Sequence, residues 1–492
     1  MAYERGGIAN RISRRSALKL GLAGVLGSEL ALVESLAWTP RRVAMAASPP
    51  PDIQFDIGAF IAPAFTVSGV LVRFGPVFTS FVPAVLTRTP TKSDQAVLAG
   101  ALARIEQSYA FSPSGIFTFV AYGIPYFNRL PGGMNGTLVT SHLPVVRDSF
   151  FPVLQEAVPS PTDVSSRNPG ITKKTFNVPV LIESNDLLFT LRGDSQAHLG
   201  DVLGWLRGSN RLNGAAVPSP AFNGLLSFRT ARMMFQQIGL PRSVANGAGL
   251  SFAAQVNPQS PMWMGFADQQ VDGSGPAQIC TFVGNASASL TTARPGDYFD
   301  NGAIQHLSHD IQDLAQFYAL PSGADPGEPF TERVQYMFRS NPLPSQGNAD
   351  QFTDGGGPAF LDNVFQTVND AYFNATGQTQ TGERRIGHLS ALQRSSRAAD
   401  GTPVHIRMDG PGFDSMDVPD GSVQPKLQFT VFVPHAEFFR LMRQNQASLD
   451  FQQAFAVNEE DNGLERFITA TRRQNFLVPP RRHRAFPLLE LT

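Results

Sequence analysis

The sequence is poor in the residues that most metal and redox sites use. It has one cysteine, Cys280, and eight histidines among 492 residues. A single cysteine excludes an intramolecular disulfide and any metal cluster held by several thiolates of one chain. The protein must therefore owe its stability to core packing or to a bound cofactor.

The sequence also lacks an excess of charge of either sign. Lys and Arg total 39 and Asp and Glu total 40, which gives a formal net charge of -1. A nucleic-acid surface needs a basic field, and a disordered solubilising chain needs an acidic excess. With 42% hydrophobic residues, the composition predicts a globular chain long enough for two domains, with no nucleic-acid partner.

Three widespread catalytic motifs are absent as well. The chain has no phosphate-binding loop, no dinucleotide-binding glycine fingerprint after a strand and no Gly-x-Ser-x-Gly elbow. These absences disfavour nucleotide-dependent enzymes and hydrolases that use the elbow serine.

The N-terminal residues resemble a twin-arginine export signal. Arg14 and Arg15 precede an apolar run, and small residues near Ala46 offer a cleavage site. Glu29 and Glu34 interrupt the run, and a charge in hydrocarbon costs about 3 kcal/mol on insertion scales. We therefore expect no stable membrane span after cleavage.

This resemblance implies a signal peptide over residues 1–46 and a linker over 47–65. The twin-arginine translocase would then be a partner, and the mature protein would be periplasmic or extracellular. A basic, amphipathic opening helix or a membrane anchor is the alternative.

The order of strand and helix patterns predicts an α+β fold with two ferredoxin-like halves. Alternating or β-branched apolar runs predict strands, and apolar residues at helical spacing predict helices. In the first half we predict strands at 66–75, 114–123, 176–184, 186–193 and 225–235, with helices at 93–110 and 195–208. In the second half a strand runs into a helix within 302–320 and again within 425–450.

We therefore expect a first half over 66–250 and a second half over 251–492. Two such halves would pack sheet to sheet or close into a barrel of the dimeric α/β-barrel type. Either arrangement leaves room for a cavity beside a sheet.

Two stretches carry the candidate chemistry. In "MWMGFADQQ", Asp268 follows a glycine among large apolar residues, so it either caps a turn or accepts and returns a proton in an apolar pocket. In "GTPVHIRMDGPGFD", His405 stands between a valine and an isoleucine, so it is either a core histidine or a ligand.

These two stretches resemble the dye-decolourising haem peroxidases, a family with two ferredoxin-like halves. "GFADQQ" is similar to the family's distal Gly-x-x-Asp-Gly motif, and "VHIR" is similar to its proximal segment. The stretches "GIFTFVAYG", "KLQFTVFVPHAEFFRLM" and "NFLVPP" resemble further strands and helices of the family in the same order.

The resemblance implies haem b as cofactor, with hydrogen peroxide and a small aromatic donor as substrates. His405 would bind the haem iron, and Asp268 would move a proton between the peroxide oxygens. Gly265, Phe266 and Arg407 would contact the cofactor. A homo-oligomer is compatible with the same resemblance.

The sequence departs from the family in three places. The carboxylate that usually orients the proximal histidine is missing, since His435 stands near its place. Gln269 replaces the final glycine of the distal motif, and no arginine follows His405 in the expected segment, where Lys426 is the only cation. The second hypothesis is therefore a protein of this fold that binds haem or another ligand without peroxidase turnover. A secreted structural protein with a closed pocket is the third.

The remaining histidines point to weaker sites. His306 and His309 could pair as metal ligands, but no third ligand of suitable spacing is evident, which favours surface or capping roles. His388 lies in a basic run, and we expect it to be solvated.

Overall fold

A computed structural model gives the fold of most of the chain. It describes residues 28–37, 49–60, 65–67, 70–72, 75–265, 277–284, 290–320, 333, 336, 387–388, 405–449, 452–453, 456–458 and 461–492. Most of the predicted signal peptide and its cleavage site lie outside the described residues.

The first half is a βαββαβ unit. Its elements are β3 (Phe78–Leu86), α2 (Lys92–Ser108), β4 (Phe117–Tyr122), β6 (Leu187–Gly193), α5 (Gln196–Leu206) and β10 (Arg232–Phe235). The four strands are antiparallel and lie in the spatial order β10-β3-β6-β4. This is the ferredoxin-like order.

Helix α2 begins where a reciprocal cap satisfies its first backbone amides. Thr91 accepts from the Asp94 amide, and the Asp94 carboxylate accepts from the Thr91 amide at 2.7 Å. Leu98, Leu102 and Ile105 recur on one face of the helix and are fully buried. Their burial packs the helix against the sheet.

The second half repeats the same plan. Its elements are β11 (Ala303–Gln312), α7 (Leu314–Ala319), β12 (Ile406–Arg407) with β13 (Gly410–Asp414), β14 (Gln424–Val433), α8 (Ala436–Ala447) and β15 (Ile468–Val478). Strand β11 lies between β15 and β14, and β12 and β13 pair with the other edge of β14, all antiparallel.

The two halves form one curved sheet. Strand β15 joins them by pairing with β4 at Leu477 and Tyr122. At the opposite ends of the sheet, β13 approaches β10 so closely that a Cβ at Gly412 would lie 3.1 Å from the Met233 carbonyl oxygen. The sheet thus curves into a barrel, and the predicted fold class of two ferredoxin-like halves is confirmed.

Aromatic side chains fill the barrel interior. Phe432 of β14 stacks on Phe55 with ring centroids 4.2 Å apart, and Phe81, Phe119 and Phe476 belong to the same buried cluster. The long helices cover the outer face of the sheet.

The structure corrects three predicted strands of the first half. Residues 66–75 contain two three-residue strands, β1 (Phe65–Val67) and β2 (Val70–Val72), which pair with each other and not with the large sheet. The first strand of the sheet is β3, whose almost continuous burial hides the alternation that a half-exposed strand shows. Pro83 within it also argues against a strand on sequence grounds.

Two other predicted strands are shorter than expected. Residues 176–184 contribute only β5 (Leu181–Ile182). Residues 225–235 form β9 (Leu226–Phe228) and β10, which pair with successive parts of β3.

Smaller elements complete the described chain. They are α1 (Ser28–Leu36), α3 (Ile124–Asn128), α4 (Thr137–Thr140), α6 (Leu240–Gly247) and the two-residue strands β7 (Arg211–Leu212) and β8 (Ala215–Ala216). No helix within the described ranges is both long enough and apolar enough to span a bilayer.

Helix α1 lies within the predicted signal peptide but packs on the folded chain. Val33 is fully buried, and a Cβ on Gly247 of α6 would lie 2.9 Å from Leu32. Cleavage near Ala46 would remove this helix and uncover α6.

Candidate functional site

A cavity lies on the outer face of the second half, between its sheet and α8. It encloses about 1010 Å³ of space between atoms, including the solvent at its mouth. Its walls come from β11, β14, β15, α8 and the loops beside them. It is therefore built by elements that are far apart in the sequence.

Three neighbouring strands form the floor of the cavity. Ser308 of β11 lies opposite Phe429 of β14 and Arg473 of β15. Two residues further along β11, Asp310 lies opposite Leu427 of β14. Because alternate residues of a strand point to the same face, these side chains all face the cavity.

One face of α8 forms the opposite wall. Phe439, Met442, Arg443 and Gln446 recur at helical spacing and line the cavity. Phe439 also packs beneath the guanidinium of Arg473, whose carbon lies 5.5 Å from the ring centroid. The wall therefore combines apolar surface with positive charge.

The cations of α8 and β15 are paired with buried carboxylates. Arg443 donates to both carboxylate oxygens of Glu465 at 3.0 and 3.2 Å. Arg473 donates to Asp163 at 2.9 Å. All four side chains line the cavity, so its strongest charges are largely neutralised in place.

Asp310 differs from these carboxylates. It is 6% exposed, and its described hydrogen bond comes from the Ser308 hydroxyl at 2.7 Å. Burial raises the pKa of Asp310, and the more distant charge of Arg473 only partly opposes the rise. The cavity floor therefore holds a carboxyl group that keeps its proton to a higher pH than an exposed aspartate.

The predicted proximal segment lies at the same cavity. Arg407 of β12 lines it, whereas His405, two residues earlier, is buried without being among the lining residues. Ile406 between them packs against the barrel interior, so alternation places His405 and Arg407 on the cavity side of the sheet. The assignment of His405 as a ligand stays a prediction.

Two residues just before the predicted distal motif also line the cavity. Met262 and Met264 line it, and Gly265 follows with a φ of 81°, a conformation that favours glycine. Trp263 anchors this loop by donating to the Gly412 carbonyl at 3.0 Å. Phe266 and Asp268 lie outside the described residues, and their predicted roles stay predictions.

His388 is a cavity residue that the sequence did not indicate. It is 9% exposed and lines the cavity, so the expectation that it is solvated is wrong. Gly463 permits this burial, because a Cβ added at that position would lie only 3.3 Å from the His388 Cα. No local sequence signal could have shown this, since the contact joins residues distant along the chain.

Lys426 does not supply the missing distal cation. Its side chain points to the barrel interior, where it donates to the Met416 carbonyl at 2.5 Å and lies 3.7 Å from Asp414. The cations at the cavity are instead Arg407, Arg443 and Arg473, counted among its described lining residues.

His306 and His309 do not form a joint metal site. His306 stacks on Phe439 and hydrogen-bonds Asn475 at 2.7 Å, whereas His309 faces the barrel interior and contacts Gln428 at 2.8 Å. Burial lowers the pKa of His306, which keeps its ring neutral. Within the part of the chain that the structure describes, no three His, Cys, Asp or Glu side chains are placed so that they could hold a metal ion together.

Comparison with known proteins places the chain in a family. The sequence profile of a family of unknown function, DUF7405, matches residues 146–480. The chain belongs to DUF7405. The DUF7405 match includes every described residue that lines the cavity. No curated protein matches the chain.

Solved structures similar to this DUF7405 protein include DyP-type peroxidases. One from Cellulomonas bogoriensis is 13% identical, with 90% of this chain and 99% of that chain covered and a TM-score of 0.48. A Shewanella oneidensis protein described as of the DyP type is 13% identical, with 85% and 96% covered and a TM-score of 0.48. An encapsulated one from Mycobacterium smegmatis is 14% identical, with 82% and 94% covered and a TM-score of 0.44.

Proposed function

We propose that this DUF7405 protein is a haem-dependent, peroxidase-like enzyme that uses hydrogen peroxide to oxidise a small phenolic or dye-like donor. The observation that carries the proposal is the cavity itself. Its lining includes Met264, directly before the segment that resembles the distal motif, and Arg407 of the segment that resembles the proximal one, together with the buried carboxyl group of Asp310.

The described lining residues have the chemical character that a haem site needs. Met264, Phe429, Phe439 and Met442 offer apolar walls for a porphyrin. Arg407, which lines the cavity, suits a haem carboxylate, because arginine pairs with carboxylates in a fork geometry. His405, on the same side of β12, would bind the iron.

When bound, haem supplies the iron on which peroxide is reduced and the donor is oxidised. The protein supplies proton transfer. Asp268 is the carboxylate that the sequence predicts for this role, and Asp310 is a second carboxyl group at the cavity floor with a raised pKa. Arg443 and Arg473 would stabilise negative charge at the cavity less than unpaired arginines would.

The pairing of these arginines favours one alternative function, ligand binding without peroxidase turnover. Arg443 and Arg473 are held by Glu465 and Asp163, and Lys426 faces away from the cavity. A protein of this kind would bind haem in the same place but would not accelerate peroxide chemistry.

Haem binding is tested by absorbance. We would produce the full chain with haem supplied during expression and record the Soret band of the wild type and of His405→Ala. The proposal expects a Soret band that His405→Ala abolishes and that His483→Ala, at a histidine stacked on Tyr298, leaves intact. A colourless wild-type protein would exclude both haem functions.

Turnover is tested on the haem-loaded protein with a phenolic donor and hydrogen peroxide. The peroxidase proposal expects a rate well above that of free haem and a loss of about 100-fold or more in Asp268→Ala, the range typical of general acid–base catalysis. A wild-type rate equal to that of free haem would leave the binding function.

Export is a separate proposal that rests on Arg14 and Arg15. We propose that the twin-arginine translocase carries the folded chain to the periplasm or the cell exterior. Cell fractionation of the wild type and of an Arg14→Lys, Arg15→Lys variant tests it. Equal export of both proteins would overturn it.

A further inference from the structure

Gln446 links the charged wall of the cavity to His388. The Arg443 Nη1 donates to the Gln446 Oε1, and the Gln446 Nε2 lies 3.2 Å from the His388 Nδ1. Because α8 carries Arg443 and Gln446 three residues apart, both side chains reach the same face of the helix.

Arg443 fixes which way the Gln446 amide points. A guanidinium has only donors, so the group of Gln446 that faces it must be the carbonyl oxygen. A flipped amide would place its NH₂ against the guanidinium, donor against donor. The network therefore assigns the NH₂ group to the His388 side.

This orientation determines the tautomer of His388. An NH₂ group donates, so the His388 Nδ1 must accept, and a neutral imidazole that accepts at Nδ1 carries its hydrogen at Nε2. We propose that the Arg443–Gln446 pair holds His388 as the Nε2–H tautomer, so that His388 does not bind a metal through Nε2.

The same contact explains why His388 is a poor metal ligand. A histidine that binds a metal through Nε2 usually donates its Nδ1–H to a carboxylate or a carbonyl oxygen. At His388 the partner of Nδ1 is a donor.

The inference refines the proposed function, since it leaves His405 as the histidine that would bind iron. The tautomer itself does not depend on haem. We would label the full chain with [¹⁵N]histidine and record two-bond ¹H–¹⁵N correlation spectra without added haem at pH 8, where an ordinary imidazole is neutral. Signals missing in His388→Ala identify the ring.

In the wild type we expect the His388 Nε2 to be protonated and the Nδ1 to be unprotonated. Gln446→Glu replaces the donor with a carboxylate acceptor, so we expect the hydrogen to move to Nδ1. Gln444→Glu makes the same change on the same helix at a side chain that contacts Arg440, and it should leave the His388 signals unchanged.

A wild-type ring protonated at Nδ1, or shifts averaged over both tautomers, would overturn the inference. The wild-type spectrum decides even if Gln446→Glu fails to fold. If the wild type binds no haem, the proposed function fails while the tautomer is still decided by the spectra.

Discussion

The buried Arg443–Glu465 pair makes a quantitative prediction about stability. Glu465 is 5% exposed and also accepts a hydrogen bond from Thr162. Burial alone would raise the pKa of Glu465, but the charges of Arg443 and Lys173 outweigh burial and lower the pKa from 4.5 to about 2. A shift of that size corresponds to about 3 kcal/mol in favour of the ionised folded state.

We therefore expect Glu465→Gln to lower the free energy of unfolding by about 3 kcal/mol at pH 7. Breaking one partner of a buried pair costs about 3–5 kcal/mol in other proteins, because the remaining charge stays buried and unpaired. Urea unfolding followed by circular dichroism, with wild type and variant at matched pH, measures the difference.

The pH dependence gives a sharper check. A carboxyl group with a lowered folded-state pKa stabilises the fold above its unfolded pKa, and this stabilisation is lost as the pH falls through the folded pKa. The gap between the wild type and Glu465→Gln should thus be full at pH 7 and shrink from pH 4.5 downward. Glu437→Gln, at a more exposed pair with Arg440, should cost about 0.5 kcal/mol or less. A Glu465→Gln effect as small as this control, or a gap that is constant down to pH 3, would refute the reasoning.

Three further predictions concern other described residues. Cys280 is fully buried, and burial raises the pKa of its thiol. A thiol reagent should therefore label the chain only after denaturation, and rapid labelling of the folded protein would contradict this burial. Gly412→Ala should lower the free energy of unfolding by about 1–3 kcal/mol, because the new methyl group would crowd the Met233 carbonyl. As a control, Gly170→Ala, where nothing lies within 4 Å of the new Cβ, should change it by about 0.5 kcal/mol or less. Equal thermal midpoints of the two variants would count against the close approach of β13 to β10. Asp310→Asn should stabilise the protein at pH 8, because the raised pKa of Asp310 makes its ionised form unfavourable in the fold. The gain in stability should vanish as the pH falls and the wild-type carboxyl group is protonated. A gain that does not depend on pH would point to packing instead.

Sequence patterns predicted elements of both halves, including β4, β6, α2 and α5 in the first. The strand-to-helix transitions at β11 with α7 and at β14 with α8 were visible because apolar periodicity changes at the transition. Strand β3 was missed because it is buried on both faces and contains Pro83. Local periodicity reports one-sided burial and cannot report which strand lies in the centre of a sheet.

The candidate site was predicted only in its short, local motifs. The sequence indicated Arg407, which lines the cavity, and a stretch whose first residues, Met262 and Met264, also line it. It did not indicate His388 or Asp310, because their burial depends on Gly463 and on the register between β11 and β14. These are contacts between distant parts of the chain, which no local pattern contains.

The seam between β15 and β4 also constrains how the chain reaches its final state. Synthesis delivers β4 long before β15, so the first-half sheet must wait with one edge unpaired. The residues after β15 then close over that half, where the Tyr122 and Tyr126 hydroxyls donate to the Arg484 and Pro487 carbonyls at 2.7 and 2.6 Å. A fragment that ends before β15 would keep an open strand edge and would expose Tyr122 and Tyr126, which are buried in the full chain, to water. We therefore predict that such a fragment self-associates through the open edge of β4.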